Sequence, residues 1–247
     1  MKKWFAYGAI FFSAYLVFLI ATIPATWVVS FVKLPKNSQV SELSGTVWQS
    51  YAKQVRIADV EINNISSELS FMSLLMFDPT VMLSFGGALV SGPEGKLTAS
   101  QLLGQMKLTD VDISLAANQI AQKLNLSIPV EAHDYIDIEI DEFIVGKPVC
   151  EQMNGAIKWK KASVTALSEK VNLGALSADL ACEKGALTFT ISPKNDLGLT
   201  FTAYLSSMKK ASGNGFLKPG ANFPEKIKPI LPFIGKVDNQ GRYRLNF

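Results

Sequence analysis

The chain has 247 residues and a formal net charge of +3, and two of its basic residues are Lys2 and Lys3. Beyond them 22 basic residues face 21 acidic ones, which argues against the basic surface that replaces counterions on nucleic acid. A single histidine argues against a histidine-ligated metal centre and against histidine-based catalysis.

From Trp4 to Val32 there are 29 residues without a charged side chain. About 20 apolar residues cross a bilayer as a helix. A cleaved signal peptide has a shorter apolar core and a small-x-small exit, whereas this core is long and leaves through Ala21-Thr22-Ile23-Pro24-Ala25. Trp4, Tyr7 and Trp27 lie near the two ends, where interfacial aromatics favour headgroups, and Pro24 ends or kinks the helix. Lys2 and Lys3 keep the N-terminus on the cytoplasmic side. The reading is an uncleaved single-pass anchor over roughly residues 5–26. Residues 1–32 form the cytoplasmic tip and anchor, 33–43 a polar tether, and 44–247 one β-domain across the membrane.

After the tether, Leu43-Ser44-Gly45-Thr46-Val47-Trp48-Gln49-Ser50 reads as a turn entering a strand. Period-two alternation then dominates. Ile65, Ser67, Leu69 and Phe71 share one face. Val81, Leu83 and Phe85 lead to Gly86-Gly87, and Ser91-Gly92-Pro93-Glu94-Gly95 is a turn cluster. Val111, Ile113 and Leu115 alternate, then Ile136, Ile138 and Ile140, then Leu187, Phe189 and Ile191. The tail repeats the pattern in Leu197, Leu199, Phe201, Ala203 and Leu205, and in Tyr243, Leu245 and Phe247. The phase slips by one between Leu108 and Val111 and between Ile140 and Phe143, as bulges in a curved sheet require. Residues 116–124 carry short helical spacing, and Phe223 to Ile234, with three prolines, admits one or two helical turns. The expected fold is mainly β with little helix. A transmembrane helix leads into a curved antiparallel β-sandwich or open half-barrel, because one apolar face per strand must be covered.

The only cysteines are Cys150, after the turn signal Gly146-Lys147-Pro148, and Cys182, on the face of Leu176, Ala178 and Leu180. Beyond a membrane anchor they lie in a compartment where disulfides persist, in a bacterium the periplasm, which favours a disulfide over two buried thiols. A bridge there closes a loop of about 33 residues, for which chain entropy gives roughly 3–4 kcal/mol.

Around these cysteines the segment Cys150…Gly155-Ala156-Ile157-Lys158-Trp159…Leu173-Gly174…Leu180-Ala181-Cys182-Glu183-Lys184-Gly185-Ala186-Leu187 resembles the two-cysteine core of type II secretion protein N, also called general secretion pathway protein N. The Ile23-Pro24-Ala25 exit also matches. Leu43 to Gln49, with Gly45, Trp48 and Gln49, resembles the first strand of that family. Leu231-Pro232-Phe233-Ile234-Gly235…Asp238…Gly241-Arg242-Tyr243 resembles its last strand. The sequence departs from the pattern at Ser50, where the family has glycine, and residues 60–145 carry little that matches. The resemblance implies a non-enzymatic accessory part of the inner membrane of Gram-negative bacteria. It would serve the machine that exports folded proteins from the periplasm through an outer-membrane secretin, with the inner-membrane platform and the secretin as partners.

Other constellations weigh less. Asp137, Glu139 and Asp141 read as one face of a strand, opposite Lys158, Lys160 and Lys161 of the next. That is a solvated ion-paired face before it is a calcium site or a docking patch. His133-Asp134 lacks a nucleophile motif such as Gly-x-Ser-x-Gly, so His133 reads as a loop histidine rather than half of a hydrolase dyad. Trp48 and Trp159 read as core. Asn64-Ile65-Ser66 and Asn125-Leu126-Ser127 match a glycosylation acceptor that is incidental in a bacterium. No catalytic, cofactor or metal residue is expected. The competing reading is a periplasmic lipid-binding or lipid-bridging module, in which Leu187, Phe189, Ile191, Leu199 and Phe201 line an open groove rather than a closed core.

Overall fold

A computed structural model describes residues 2–30, 38–57, 60–87, 92–102, 104–123, 129–166, 168–207 and 210–246. Five readings made above fall partly outside them: the uncharged run at residues 31–32, the tether over 33–37, the turn cluster at Ser91, the stretch 124–127 with Asn125, and the tail strand at Phe247.

The chain divides into two compact units, Met1–Gly92 and Pro93–Phe247. The first opens with helix α1 (Lys2–Ala21) and the short α2 (Ala25–Val29). Pro24 has no N–H to continue a helix, and α1 ends three residues before it. The Thr22 hydroxyl closes the last turn on the Phe18 carbonyl at 2.8 Å. Among the described residues no helix is long and apolar enough to cross a membrane. The side chains of Lys2, Lys3, Phe5, Ala6 and Ala9 are not among those described.

Four strands follow as an antiparallel meander: β1 (Ser38–Gly45), β2 (Gln49–Ile57), β3 (Val60–Leu69) and β4 (Thr80–Phe85). β1 starts inside the stretch read as a tether. Ser38 to Ser41 pair with Ile57 to Gln54, and Leu43 to Gly45 pair with Ala52 to Ser50. The expected strand face through Phe71 also ends earlier. Ser70 caps α3 (Phe71–Leu75), its hydroxyl accepting the Ser73 N–H at 3.3 Å, so Phe71 opens a helix instead of closing β3.

The second unit holds β5 (Glu94–Leu102), β6 (Gln105–Ala116), α4 (Ala117–Ala121), β7 (Val130–His133), β8 (Tyr135–Val145), β9 (Cys150–Ala166), β10 (Glu169–Glu183), β11 (Ala186–Ile191), β12 (Leu199–Ser207), β13 (Lys210–Leu217), a 3-10 turn (Glu225–Ile230), α5 (Leu231–Ile234) and β14 (Tyr243–Asn246). Its strands pair in chain order, except that β8 follows β6 directly and β7 joins β9 beyond the end of β8. The 17-residue β9 is thus paired by β8 from Cys150 to Lys158 and by β7 from Ser163 to Ala166. Asp134, at φ +66°, forms the kink between β7 and β8.

Both phase slips are bulges. The β5–β6 register jumps between Lys96 and Thr98, opposite Asp110 with φ +50°. The β8–β9 register jumps between Ile140 and Glu142, which leaves Asp141 extra. Of the two expected forms, sandwich or open half-barrel, only the sandwich is corrected. Within each unit the strands form a single open antiparallel sheet, with no second sheet among the described residues.

The apolar face is covered locally. Leu197, Leu217, Phe223 and Leu231 form a buried cluster, flanked by Leu173, Leu176, Leu199, Ile227, Tyr243 and Leu245. The segment after β13 thus folds back over one end of the sheet, and its prolines limit it to the 3-10 turn and α5. Elsewhere the register carries Ile113, Ile138, Ile157, Ala178 and Ile191 side by side across five strands. Ala178 is buried and the four isoleucines are half-buried.

Candidate functional site

In the first unit the exit of α1 is clamped by the β1–β2 hairpin. Pro24 bridges Thr46, and the Val47 N–H donates to the Ile23 carbonyl at 2.9 Å. Trp48 sits in the bend, not in a strand; its indole N–H donates to the Ile20 carbonyl at 2.9 Å. Its ring meets Phe71 edge-on at 5.4 Å. Gln49 begins β2, and its carbonyl accepts the Thr46 N–H at 2.8 Å. Gly45 lies so close to Gln49 and Ser50 that a side chain would collide with the Gln49 carbonyl. The tight approach is therefore at Gly45, and Ser50 uses its hydroxyl to bond the Ser67 hydroxyl at 2.7 Å. A cavity of about 640 Å³ opens here, lined by Val17, Ile20, Trp48, Leu69, Phe71 and Met82, among others. Trp4 and Tyr7, on the first turns of α1, and Trp27, on α2, are exposed.

In the second unit Cys150 and Cys182 are bonded, 32 residues apart in sequence, and Cys150 is fully buried. The β10–β11 hairpin tip holds them from outside. Lys184 and Gly185 both take positive φ, as a two-residue turn of this hand requires, and the Gly185 carbonyl accepts the N–H of Val149 and of Cys150. Any side chain at 185 would strike Pro148. Gly155 lets β8 and β9 approach; a Cβ there would meet the Glu139 carbonyl. Gly174 sits between two register shifts of β9–β10, against the Asp196 carboxylate.

Trp159 is half-buried and donates to the His133 carbonyl at 2.9 Å, serving the backbone where β7 gives way to β8. His133 ends a strand instead of lying in a loop, because β7 pairs with β9, and its Nε2 is 2.7 Å from the Thr165 hydroxyl. A serine faces His133 across the strands, Ser163, but the ring nitrogen engages the Thr165 hydroxyl instead.

The acidic strand is ion-paired. Lys158 reaches Glu139 at 2.5 Å, Lys160 reaches Asp137 at 2.9 Å and Lys107 reaches Glu142 at 2.5 Å. The Lys160 ammonium holds the Asp137 carboxyl below the usual carboxylate range, aided by the Ser114 hydroxyl and the Lys158 charge. The bulge removes Asp141 from the expected face and sends it to Asn154 at 3.0 Å; Glu142 takes its place in the ladder. Among the described residues no group of three or more carboxylate, histidine or cysteine side chains could hold a metal ion.

The tail motif is a turn built on Asp238. Its carboxylate accepts the backbone N–H of Gln240 at 2.8 Å, the backbone N–H of Arg242 at 2.9 Å and Arg242 Nε at 2.9 Å. These bonds, the Arg242 N–H first, hold Asp238 below the usual carboxylate range. Gly241 takes φ +75°, Gly235 follows α5, and Tyr243 enters β14 against Leu217. Arg242 lies over the Phe216 ring at 4.2 Å.

Sequence reasoning missed α3 and the residues after it. Ser70 before an unbroken apolar run, Phe71 to Phe77 with only Ser73 interrupting, followed by Asp78-Pro79, was the available signal. A one-sided strand cannot be apolar at every position.

These features define a β-rich chain, led by an apolar helix and clipped by a disulfide, whose Gly45, Trp48, Trp159, Gly185 and Asp238 shape backbone turns and closures. The family model described as type II secretion system (T2SS), protein N matches residues 36–246, and the chain belongs to that family. It is 26% identical over 247 residues to type II secretion system protein N of Vibrio cholerae, covering 100% of this chain and 98% of the relative. It is 29% identical over 251 residues to the protein of the same name from Aeromonas hydrophila, with 100% and 98% covered. The protein N of Pectobacterium carotovorum is 23% identical over 250 residues, covering 100% and 97%. No solved structure matches.

Proposed function

We propose that this chain is an inner-membrane-anchored accessory component of the type II secretion system. Its β units lie in the periplasm and support export of folded proteins across the outer membrane through protein–protein contacts, without catalysis. The observation that carries this reading is the family match over residues 36–246 together with full-length likeness to relatives named for that system. The anchor is supported by α1. It opens the run from Trp4 to Val32, which carries no charged side chain. Its side chains from Ile10 to Ile20 are exposed in this chain and need an apolar environment. Lys2 and Lys3 favour a cytoplasmic N-terminus. The platform and the secretin are the partners this places within reach.

Deletion of the gene, with site-specific crosslinking from exposed strand positions in cells, tests the reading. Reduced export of the secreted proteins and crosslinks to secretion components are expected. Unchanged export with no such crosslink would reject it.

A second reading has one specific observation in its favour. Leu187, Phe189, Ile191, Leu199 and Phe201 are all half-buried, so this apolar face is not sealed as a core would be. A lipid-binding or lipid-bridging role would use that face. Mass spectrometry of the purified chain for bound lipid, with Phe201→Glu as the comparison, separates it from a role in protein contacts alone.

A further inference from the structure

We propose that α3 and the residues that follow it, Phe71 to Phe77, form a second membrane contact that dips into the leaflet at the C-terminal end of α1. This rests on the reading of α1 as an anchor.

Exposed large apolar side chains are unevenly placed. Beyond residue 30, ten of the fourteen found among the described residues belong to the first unit, and six of those ten are Phe71, Met72, Leu74, Leu75, Met76 and Phe77. Phe77 is 89% exposed and Met76 70%. The first unit has little interior to offer them. Its buried apolar residues, among those described, are Ala25 and Ala52. A contiguous apolar patch of this kind marks an interaction surface.

The surface is continuous with α1. Phe71 stacks edge-on with Trp48, and Trp48 is bonded to Ile20 in the last turn of α1. Val17, Ile20 and Ala21 line one cavity with Phe71 and Met82, and Glu68 is the only charged residue among those lining it. Whatever apolar medium surrounds the end of α1 therefore also reaches α3.

The backbone is prepared for such a medium. In lipid every N–H and C=O must find a partner within the protein. Here Met76 N–H donates to Met72 at 3.2 Å, Phe77 N–H to Leu74 at 3.2 Å and Asp78 N–H to Ser73 at 3.0 Å. The two serines are spent internally as well. Ser73 Oγ donates to the Ser70 carbonyl at 2.8 Å and accepts the Thr80 N–H at 3.0 Å. Phe77 takes φ +59°, a left-handed conformation that a bulky aromatic rarely adopts, and in doing so projects its ring outward. Glycine would meet that geometry without strain; an exposed phenylalanine there suits burial at the headgroup–acyl boundary. The run from Leu69 to Phe77 carries no charge, and Glu68 and Asp78 bracket it, so the contact is apolar and independent of anionic lipid.

The test uses the full chain in phosphatidylcholine vesicles, with the native disulfide intact so that one added cysteine is the only thiol among the described residues. Leu75→Cys and, separately, Val17→Cys are labelled with an environment-sensitive fluorophore. Each is challenged with spin-labelled lipid and with aqueous iodide. The expected result is a blue-shifted Leu75 label that loses most of its emission to shallow spin-labelled lipid and resists iodide, beside a Val17 label quenched by deep spin-labelled lipid. A lipid-quenched Val17 label with a Leu75 label open to iodide overturns the contact and leaves the anchor standing. A Leu75 label protected from both quenchers also overturns it, in favour of a second copy or another protein on that surface. A Val17 label that lipid does not quench removes the anchor and this contact together.

Discussion

The indole N–H of Trp48 donates to the backbone carbonyl of Ile20, 28 residues earlier in the chain, at 2.9 Å. That carbonyl belongs to the last turn of α1, where helix carbonyls have no intrahelical partner. A side chain in the β1–β2 bend therefore completes the helix and fixes the direction in which the chain leaves it.

Replacing Trp48 separates the two contacts. Trp48→Phe keeps a ring against Phe71 and loses the hydrogen bond, at a cost of about 1 kcal/mol. Hydrogen exchange of the Val47 amide, which is bonded to Ile23, should quicken in Trp48→Phe and quicken further in Trp48→Ala. Equal exchange in wild type and Trp48→Phe would show that the indole N–H carries nothing.

The disulfide is expected to stabilise through the loop it closes. With its ends 32 residues apart in sequence, loss of the bridge in Cys150→Ala/Cys182→Ala should lower unfolding stability by roughly 3–4 kcal/mol. Urea unfolding of the oxidised and reduced wild type should bracket the double variant. A midpoint that does not move on reduction would contradict this.

Two glycines with similar φ should respond differently. Gly185→Ala meets Pro148 at 2.5 Å as well as a positive φ, so it should cost roughly 1–3 kcal/mol and weaken the bonds to Val149 and Cys150. Gly241 also takes a positive φ but faces open space, so Gly241→Ala should cost only the conformational part, about 1–2 kcal/mol. Thermal unfolding of the pair gives the ranking, and a larger loss at 241 would reverse the argument.

Asp137 and Asp238 should each contribute to acid sensitivity. Both have folded pKa values below the unfolded carboxylate value, which lies near about 3.9. Their stabilisation is therefore complete above the unfolded value and lost as pH falls through the folded one. Lys160→Ala should raise the Asp137 titration midpoint followed by NMR, and Asp238→Asn should flatten the fall of Tm with acidification. Neither ion pair is deeply buried, so both effects on Tm at neutral pH should be small.

Much of the architecture is legible in local pattern. Alternation at Ile136, Ile138 and Ile140 or at Leu199, Phe201 and Ala203 specifies strands because a pleated backbone sends successive side chains to opposite faces. The slips near Asp110 and Asp141 mark real bulges for the same reason: one extra residue inverts the phase. The short helices at 117–121 and after Phe223 are readable from spacing and proline. The pairing of Lys158 and Lys160 with the acidic strand is legible as well, but Asp141 leaves that face because its bulge is defined against β9, a partner its own sequence does not contain. Phe71 was misplaced because continuing alternation from Ile65 outweighed the single cap at Ser70.

Strand content, the apolar helix and the cysteine pair are thus properties of neighbouring residues, set by steric period, hydropathy and composition. Pairing across long separations obeys a different physics. Trp48 finding Ile20, Trp159 finding the His133 carbonyl and the Gly185 carbonyl holding Cys150 all depend on backbone groups left unsatisfied by one segment and met by another. So does the choice of one open sheet in each unit over a sandwich. Periodicity says that an apolar face exists, but covering it depends on which distant segment folds over it, as the stretch from Phe223 to Leu231 does over Leu197 and Leu217.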